Sequence, residues 1–304
     1  MTDPGERSSL RPLDARALEQ VLRRLERAAE APWLHGEVAR RMAERLPLIR
    51  SRPEVVLDWW AANGASRLLL QRQYPAARIV AVERLARPAA PPHAGGLRDR
   101  LREWRRGRRG GGANVAEAAV APGRAQLVWA NMMLHGVQDP EATMRRWRDA
   151  LAVGGFLMFS TLGPGSFARL RACYAAAGWP PPHAPFVDMH DLGDMLLHAG
   201  FADPVMDQES LVLTHASPAA LLQELRTLGG NVDPARHAGL RTPGWRARLE
   251  EALAAGADAR GRVALDVEVV YGHAFRPEPR AAVAPRTDVP LAEMRAALRA
   301  ARRR

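Results

Sequence analysis

Two stretches of sequence decide the fold: residues 55–66 read VVLDWWAANGAS, and residues 78–83 read RIVAVE. The first begins with a short apolar run ending in Asp58, which is typical of a buried parallel strand that leads into a loop. A helix is predicted over residues 66–73, and Pro75 precedes the second apolar run. Strand, loop, helix and strand in this order form a βαβ unit.

Strands and helices also alternate along the rest of the chain. The other strands are predicted at residues 114–119, 125–131, 156–160, 205–207, 210–214 and 264–271. The other helices are predicted at residues 14–48 (two helices divided at Pro32), 140–151, 167–177, 191–199, 218–228 and 243–255. This alternation predicts an α/β fold with a doubly wound, mostly parallel sheet.

The composition is that of a globular protein: 304 residues, 47% hydrophobic and 25% charged. All 44 basic residues are arginine, and they exceed the 33 acidic residues by 11. A coding bias and an acidic partner both explain this excess. The one cysteine, Cys173, excludes an intramolecular disulfide and a cysteine-built zinc site. We find neither an apolar run of membrane-spanning length nor a signal peptide, and we therefore expect a cytoplasmic protein with no membrane partner.

The charge and turn residues suggest one domain with appendages. We expect a disordered leader over residues 1–12, a folded domain over residues 13–276 and a basic tail over residues 277–304. An arginine- and glycine-rich insertion at residues 98–112 interrupts the domain, and such a run is most often a solvated loop. Trp104 alone is a poor stacking platform for bases, so nucleic acid is not an expected partner.

The βαβ unit carries features of a nucleotide-like binding site. A loop after the first strand lets the backbone approach a ligand, and a carboxylate at the tip of the next strand accepts hydrogen bonds from both ribose hydroxyls. Glu83 ends the second strand, 19 residues beyond Gly64, and fits that role.

Together with LVWANMMLHGVQDPE (residues 127–141) and LAVGGFLMFSTLGPGSF (residues 151–167), these stretches resemble class I S-adenosylmethionine-dependent methyltransferases. The resemblance covers residues 55–159. It implies a Rossmann-like sheet with N-terminal helices and an antiparallel last strand, and S-adenosylmethionine as cofactor. It also implies four cofactor-binding residues: Asp58, Gly64, Glu83 and Asn131.

The first loop departs from the pattern of that family. The family loop usually reads Asp-x-Gly-x-Gly-x-Gly, whereas this chain has Trp60 and Ala62 at the first two glycine positions. An indole that points at the cofactor site fills it, and an indole that turns into the interface between sheet and helix leaves the loop able to bind. The alternative to an active enzyme is a catalytically impaired relative that acts as a binding partner.

Five further segments narrow the resemblance to the malonyl-[acyl-carrier protein] O-methyltransferase family of biotin synthesis. They are EVARRMAERL (37–46), FSTLGPGSFARLR (159–171), VDMHDLGDMLLHAGFADPVMDQE (187–209), LLQELRTLGGNV (221–232) and DVEVVYGHAF (266–275). The resemblance implies methylation of the free carboxyl group of a malonyl thioester, with acyl carrier protein as the partner. An acidic carrier protein suits a basic surface.

Transfer to a carboxylate needs no general base, so no catalytic side chain is assigned; the protein positions the reactants and excludes water. Selection of a carboxylate calls for an arginine, and the candidates are Arg171 and Arg226. His135 stands where the family has glutamine, and it either touches a ligand or is incidental. The N-terminal helix lacks the family's tyrosine, which puts closure over the site in question. No histidine spacing predicts a metal site.

Overall fold

The computed structural model describes residues 10–28, 30–84 and 114–279. Its seven strands are β1 Val55–Trp59, β2 Arg78–Glu83, β3 Val115–Ala116, β4 Ala125–Ala130, β5 Leu151–Leu162, β6 Ala202–His215 and β7 Val263–Phe275. They form one sheet in the order β3-β2-β1-β4-β5-β7-β6. Strands β1 to β5 are parallel, and β7 runs antiparallel between β5 and β6. The predicted doubly wound sheet with an antiparallel last strand is confirmed.

Nine α-helices accompany the described strands, and polar caps fix where several of them begin. They are α1 Ala15–Arg27, α2 Trp33–Ala43, α3 Ala61–Gly64, α4 Arg67–Gln73, α5 Pro140–Ala150, α6 Ala168–Ala176, α7 Met189–His198, α8 Pro218–Leu228 and α9 Pro243–Ala254. Side chains of Asp14, Asp139, Asp188, Ser217 and Thr242 accept a hydrogen bond from the first turns of α1, α5, α7, α8 and α9. These caps satisfy backbone N–H groups that have no partner inside the helix.

Three strands are longer than predicted: β5, β6, and β7, which continues beyond residue 271 to Phe275. β5 begins at Leu151, because the pair Gly154 and Gly155, predicted as a turn, lies within the strand at an irregularity in its pairing with β4. A Cβ on Gly155 would lie 2.9 Å from the carbonyl oxygen of Ala152, so only glycine fits there. Likewise, the two short strands predicted near residues 205 and 214 are one strand, β6.

Alternating side chains of the sheet build a core on each face. Leu127 and Trp129 of β4 pack in one core with α2, whereas Val128 and Ala130 pack in the other core with α5 and α7. Both faces of a parallel sheet are therefore covered by helices, as a doubly wound fold requires. Because β2, β1 and β4 are parallel neighbours, their carboxyl ends lie at one edge of the sheet.

The ends of the domain are partly within the described residues. Residues 1–9 and the insertion at residues 98–112 lie outside them, as does the tail beyond residue 279. Arg11, within the predicted disordered leader, is only 7% exposed and donates hydrogen bonds to backbone carbonyls of distant segments. The folded part of the chain therefore includes Arg11. Within the described part of the chain, we find no helix with the length and apolar character to cross a membrane.

Candidate functional site

A cavity of about 1070 Å³ lies at the carboxyl ends of β1, β4 and β5. Trp60, Met132 and Leu162 line it from the three strand ends, and α1, α8 and α9 close it from above. Ligands of doubly wound α/β proteins bind at this edge of the sheet. The cavity is therefore the candidate active site.

Every charged side chain among the described residues that line the cavity is an arginine: Arg11, Arg24, Arg226 and Arg246. Arg11 and Arg24 donate to backbone carbonyls, and Arg246 pairs with Glu250. Arg226 has no hydrogen-bond or ion-pair partner among residues 10–28, 30–84 and 114–279, and it is exposed. It is thus free to hold an anionic group of a ligand.

The structure separates the two arginines predicted to bind a carboxylate. Arg226 lines the cavity, whereas Arg171 lies outside the lining and donates a hydrogen bond to the carbonyl oxygen of Ser166. Of the two, Arg226 is placed to meet a substrate.

Three of the four predicted cofactor residues lie together. A Cβ on Gly64 would lie 3.7 Å from Oδ1 of Asp58 and 3.8 Å from Cβ of Asn131. Asn131 donates through Nδ2 to the carbonyl oxygen of Gly64 at 2.6 Å. Oε1 of Glu83 accepts a hydrogen bond from the backbone N–H of Ala62 at 2.8 Å. None of the four predicted residues lines the cavity, which is lined on this side by Trp60, Asn63 and His35.

The carboxyl group of Asp58 has an unusual environment. It is 1% exposed, and neither of its oxygens has a hydrogen-bond partner among the described residues. Burial raises its pKa to about 8; the nearby carboxylate of Glu83 adds to this rise, and Arg67 opposes it. A group of this kind is poised to receive a cation or a hydrogen-bond donor.

The structure places the indole of Trp60 in a wall between two cavities. Trp60 lines both the large cavity and a second one of about 440 Å³, and its Nε1 donates to the carboxylate of Glu117. That carboxylate also accepts from Nε1 of Trp59 at 2.8 Å. Trp60 has a φ of 54°, in the left-handed region that costs an L-residue about 1–2 kcal/mol and that glycine adopts without this cost.

Sequence reasoning missed His35, which α2 brings over the loop after β1. Its Nδ1 lies 2.8 Å from the carbonyl oxygen of Asn63 and must carry the hydrogen, since a carbonyl only accepts. Its Nε2 has no partner among the described residues, and burial lowers the pKa of His35 to about 4. His135 also lines the cavity, and burial, His35 and Arg11 lower its pKa to about 3. No spacing in the sequence signals this pair, because the fold alone brings them together.

These groups suit S-adenosylmethionine, the cofactor implied by the resemblance. Its ammonium group suits the unpartnered acceptors at Asp58 and His35, and its carboxylate suits an arginine-lined cavity. The backbone N–H of Ala62 donates to Glu83, which holds this carboxylate at the loop. Among the described residues, no group of three or more His, Cys, Asp or Glu is arranged to hold a metal ion.

Comparisons with known proteins agree on one family. A family model described as a methyltransferase domain matches residues 31–203. A malonyl-[acyl-carrier protein] O-methyltransferase of Laribacter hongkongensis is 36% identical over 259 residues, which cover 82% of this chain and 85% of that protein. Its counterpart in Halorhodospira halophila is 37% identical over 82% of this chain and 83% of that protein.

Among solved structures, the YcgJ protein of Bacillus subtilis has a TM-score of 0.48 and 9% sequence identity, covering 80% of this chain and 99% of that one. The extent and identity of the sequence matches decide the assignment. The chain belongs to the malonyl-[acyl-carrier protein] O-methyltransferase family, within the S-adenosylmethionine-dependent methyltransferases.

Proposed function

We propose that this chain methylates the free carboxyl group of a malonyl thioester carried by acyl carrier protein, with S-adenosylmethionine as the methyl donor. The observation that carries the proposal is the lining of the large cavity, in which all charged side chains are arginines. Such a lining favours an anionic substrate over a neutral or cationic one. The apolar remainder of the wall, which includes Leu22, Met133 and Phe186, suits a thioester arm.

Methyl transfer to a carboxylate requires the protein chiefly to position the two reactants. Bound S-adenosylmethionine supplies an electrophilic methyl group, and a carboxylate oxygen already carries the negative charge that makes it a nucleophile. Arg226 holds the carboxylate, while α1 excludes water with Leu18 and Leu22. We propose Asp58, Gly64, Glu83 and Asn131 as the cofactor-binding residues, with Glu83 on the ribose. A cytoplasmic location and a folded domain that includes Arg11 and extends to residue 276, with a basic tail after it, belong to the same proposal.

One assay tests the function. The purified protein is incubated with malonyl-[acyl carrier protein] and isotopically labelled S-adenosylmethionine, and methyl ester on the carrier is measured by mass spectrometry. Acetyl-[acyl carrier protein], which has no free carboxyl group, is the control and stays unlabelled. Absence of transfer to the malonyl carrier contradicts the proposal.

The two arginines provide a matched pair for the substrate contact. We expect Arg226→Ala to raise the KM for the malonyl carrier by about tenfold, because a charge-assisted hydrogen bond is lost. Arg171→Ala, outside the cavity lining, should leave that KM unchanged. An equal effect of both substitutions argues against a role for Arg226 in recognition.

A catalytically impaired binding protein is the alternative. Trp60 favours it, because its indole lines the large cavity at a position where the family pattern has glycine. Binding of the carrier without methyl transfer in the assay above supports this alternative.

A further inference from the structure

The chain that joins α8 to α9 and enters α9 has an unusual charge pattern. Residues 234–248 read PARHAGLRTPGWRAR, with four arginines, one histidine and no acidic residue. The next acidic residue, Glu250, is paired with Arg246. Arg236 pairs with Asp14, so Arg241 and Arg248 are the two arginines of this stretch that have no acidic partner among the described residues.

Aromatic rings hold two of these arginines in place. Trp245 packs with Trp179 and Tyr174, with ring centroids 5.4 Å and 6.1 Å away. The Cζ of Arg241 lies 4.4 Å from the centroid of the Trp245 ring, and that of Arg248 lies 5.9 Å from Trp179. Cation–π contacts of this kind restrict the two side chains, so their charges are already ordered before a partner arrives.

An apolar side chain stands among these charges. Leu240, next to Arg241, is 96% exposed. A single exposed leucine is ordinary on a protein surface. Here it lies in a stretch whose charged residues are all basic, and a docking surface commonly combines an apolar anchor at its centre with a charged rim.

The same segment reaches the large cavity. Trp245 and Arg246 line the cavity together with Arg226. A protein that docks on this segment is therefore next to the cavity that a thioester arm must enter.

We propose that residues 234–248 form the docking surface for the acidic acyl carrier protein, with Arg241 and Arg248 facing its carboxylates and Leu240 in apolar contact. The inference rests on the proposed function and names the surface that this function uses. It differs from the insertion at residues 98–112, the more obvious basic run, which lies outside the described residues.

The test is a charge reversal of the surface with a matched control. The docking variant is Arg241→Glu with Arg248→Glu. The control is Arg78→Glu with Arg124→Glu, which changes the net charge equally at exposed residues near the amino ends of β2 and β4, on the opposite edge of the sheet from the cavity. Methyl transfer is measured with the malonyl carrier and with malonyl-pantetheine, a thioester without the protein.

We expect the docking variant to raise the KM for the malonyl carrier at least tenfold and to leave the KM for malonyl-pantetheine unchanged. The control variant should change neither. An unchanged KM for the carrier overturns the docking surface, and so does an equal rise for both thioesters, which would indicate damage to the cavity.

Binding of the holo-carrier, without acyl group, is measured in parallel by calorimetry. If the wild-type protein binds the holo-carrier but transfers no methyl group, and the docking variant does not bind the carrier, the proposed function is contradicted and the docking surface is supported. If the wild-type protein methylates the carrier and the docking variant binds the carrier as well as the wild type does, the docking surface is contradicted and the proposed function is not.

Discussion

The floor and the mouth of the large cavity differ in how far their polar side chains are exposed to solvent. We call floor the groups at the strand ends that line the cavity or lie next to its lining. Its polar groups are buried: His35, in the lining, is 2% exposed, and Asp58 and Asn131, next to it, are each 1% exposed. We call mouth the parts of α8 and α9 that lie above the cavity. Its polar groups include exposed arginines such as Arg226 and Arg248.

This difference predicts two kinds of behaviour. Burial strengthens electrostatic interactions and makes an unpaired group costly, so substitutions on the floor change cofactor affinity and stability largely independently of salt. Exposed charges are screened by salt and chiefly steer a charged partner. We therefore expect floor and mouth variants to separate by ligand, by pH and by ionic strength.

The largest effect is expected on the floor, at Glu83. Its carboxylate holds the backbone N–H of Ala62 and is proposed to hold the ribose, so Glu83→Ala removes both interactions. We expect S-adenosylmethionine affinity to fall about 100-fold in calorimetry, as for the loss of two charge-assisted hydrogen bonds. Glu83→Gln keeps an acceptor for Ala62 and should lose less. Equal affinity of Glu83→Ala and wild type contradicts the assignment.

Asp58 tests how far burial governs the floor through pH. Its pKa is about 8 in the folded protein and about 3.8 in an unfolded chain. Between these values the folded state binds more protons than the unfolded state, so this group lowers stability as pH rises. We expect Asp58→Asn to stabilise the protein without ligand, by about 4 kcal/mol more at pH 8 than at pH 5.

Urea denaturation at the two pH values measures this gain. Asp266→Asn is the control. Asp266 pairs with Arg169 on the surface, so this substitution should lower the stability of the protein slightly or not at all. A gain for Asp58→Asn that is equal at both pH values means that Asp58 is not buried in its protonated form.

The sequence alone predicts most of the fold and only part of this floor. Apolar runs ending in Asp58 and Glu83 have a period and spacing that specify parallel strands, and the structure contains both strands. The contact of Trp60 with Glu117 depends instead on how β3 pairs with β2, which no local pattern encodes. His35 is likewise brought to the loop by the packing of α2.

Trp60 tests whether the floor is closed by its own side chain. Trp60→Gly removes an indole from the wall between the two cavities and relieves a left-handed backbone conformation. We expect S-adenosylmethionine to bind about tenfold more tightly by calorimetry, because the indole no longer occupies space in the cavity wall. The relieved strain of about 1–2 kcal/mol stabilises the protein with and without ligand. Trp60→Phe keeps the bulk and the strain, and should bind as the wild type does. Weaker binding by Trp60→Gly shows instead that the indole supports the site.

The smallest effect is expected from salt, and it concerns the mouth. Raising sodium chloride from about 0.05 M to about 0.5 M shortens the screening length to a few ångströms, which weakens attraction between exposed arginines and an acidic carrier. We expect the KM for the malonyl carrier to rise a few-fold and the affinity for S-adenosylmethionine to stay nearly constant. Steady-state kinetics and calorimetry at both salt concentrations measure the two quantities. Because Arg241 and Arg248 carry the charges proposed to face the carrier, their reversal to glutamate should remove most of this salt dependence. An equal response of both ligands to salt contradicts the separation between floor and mouth.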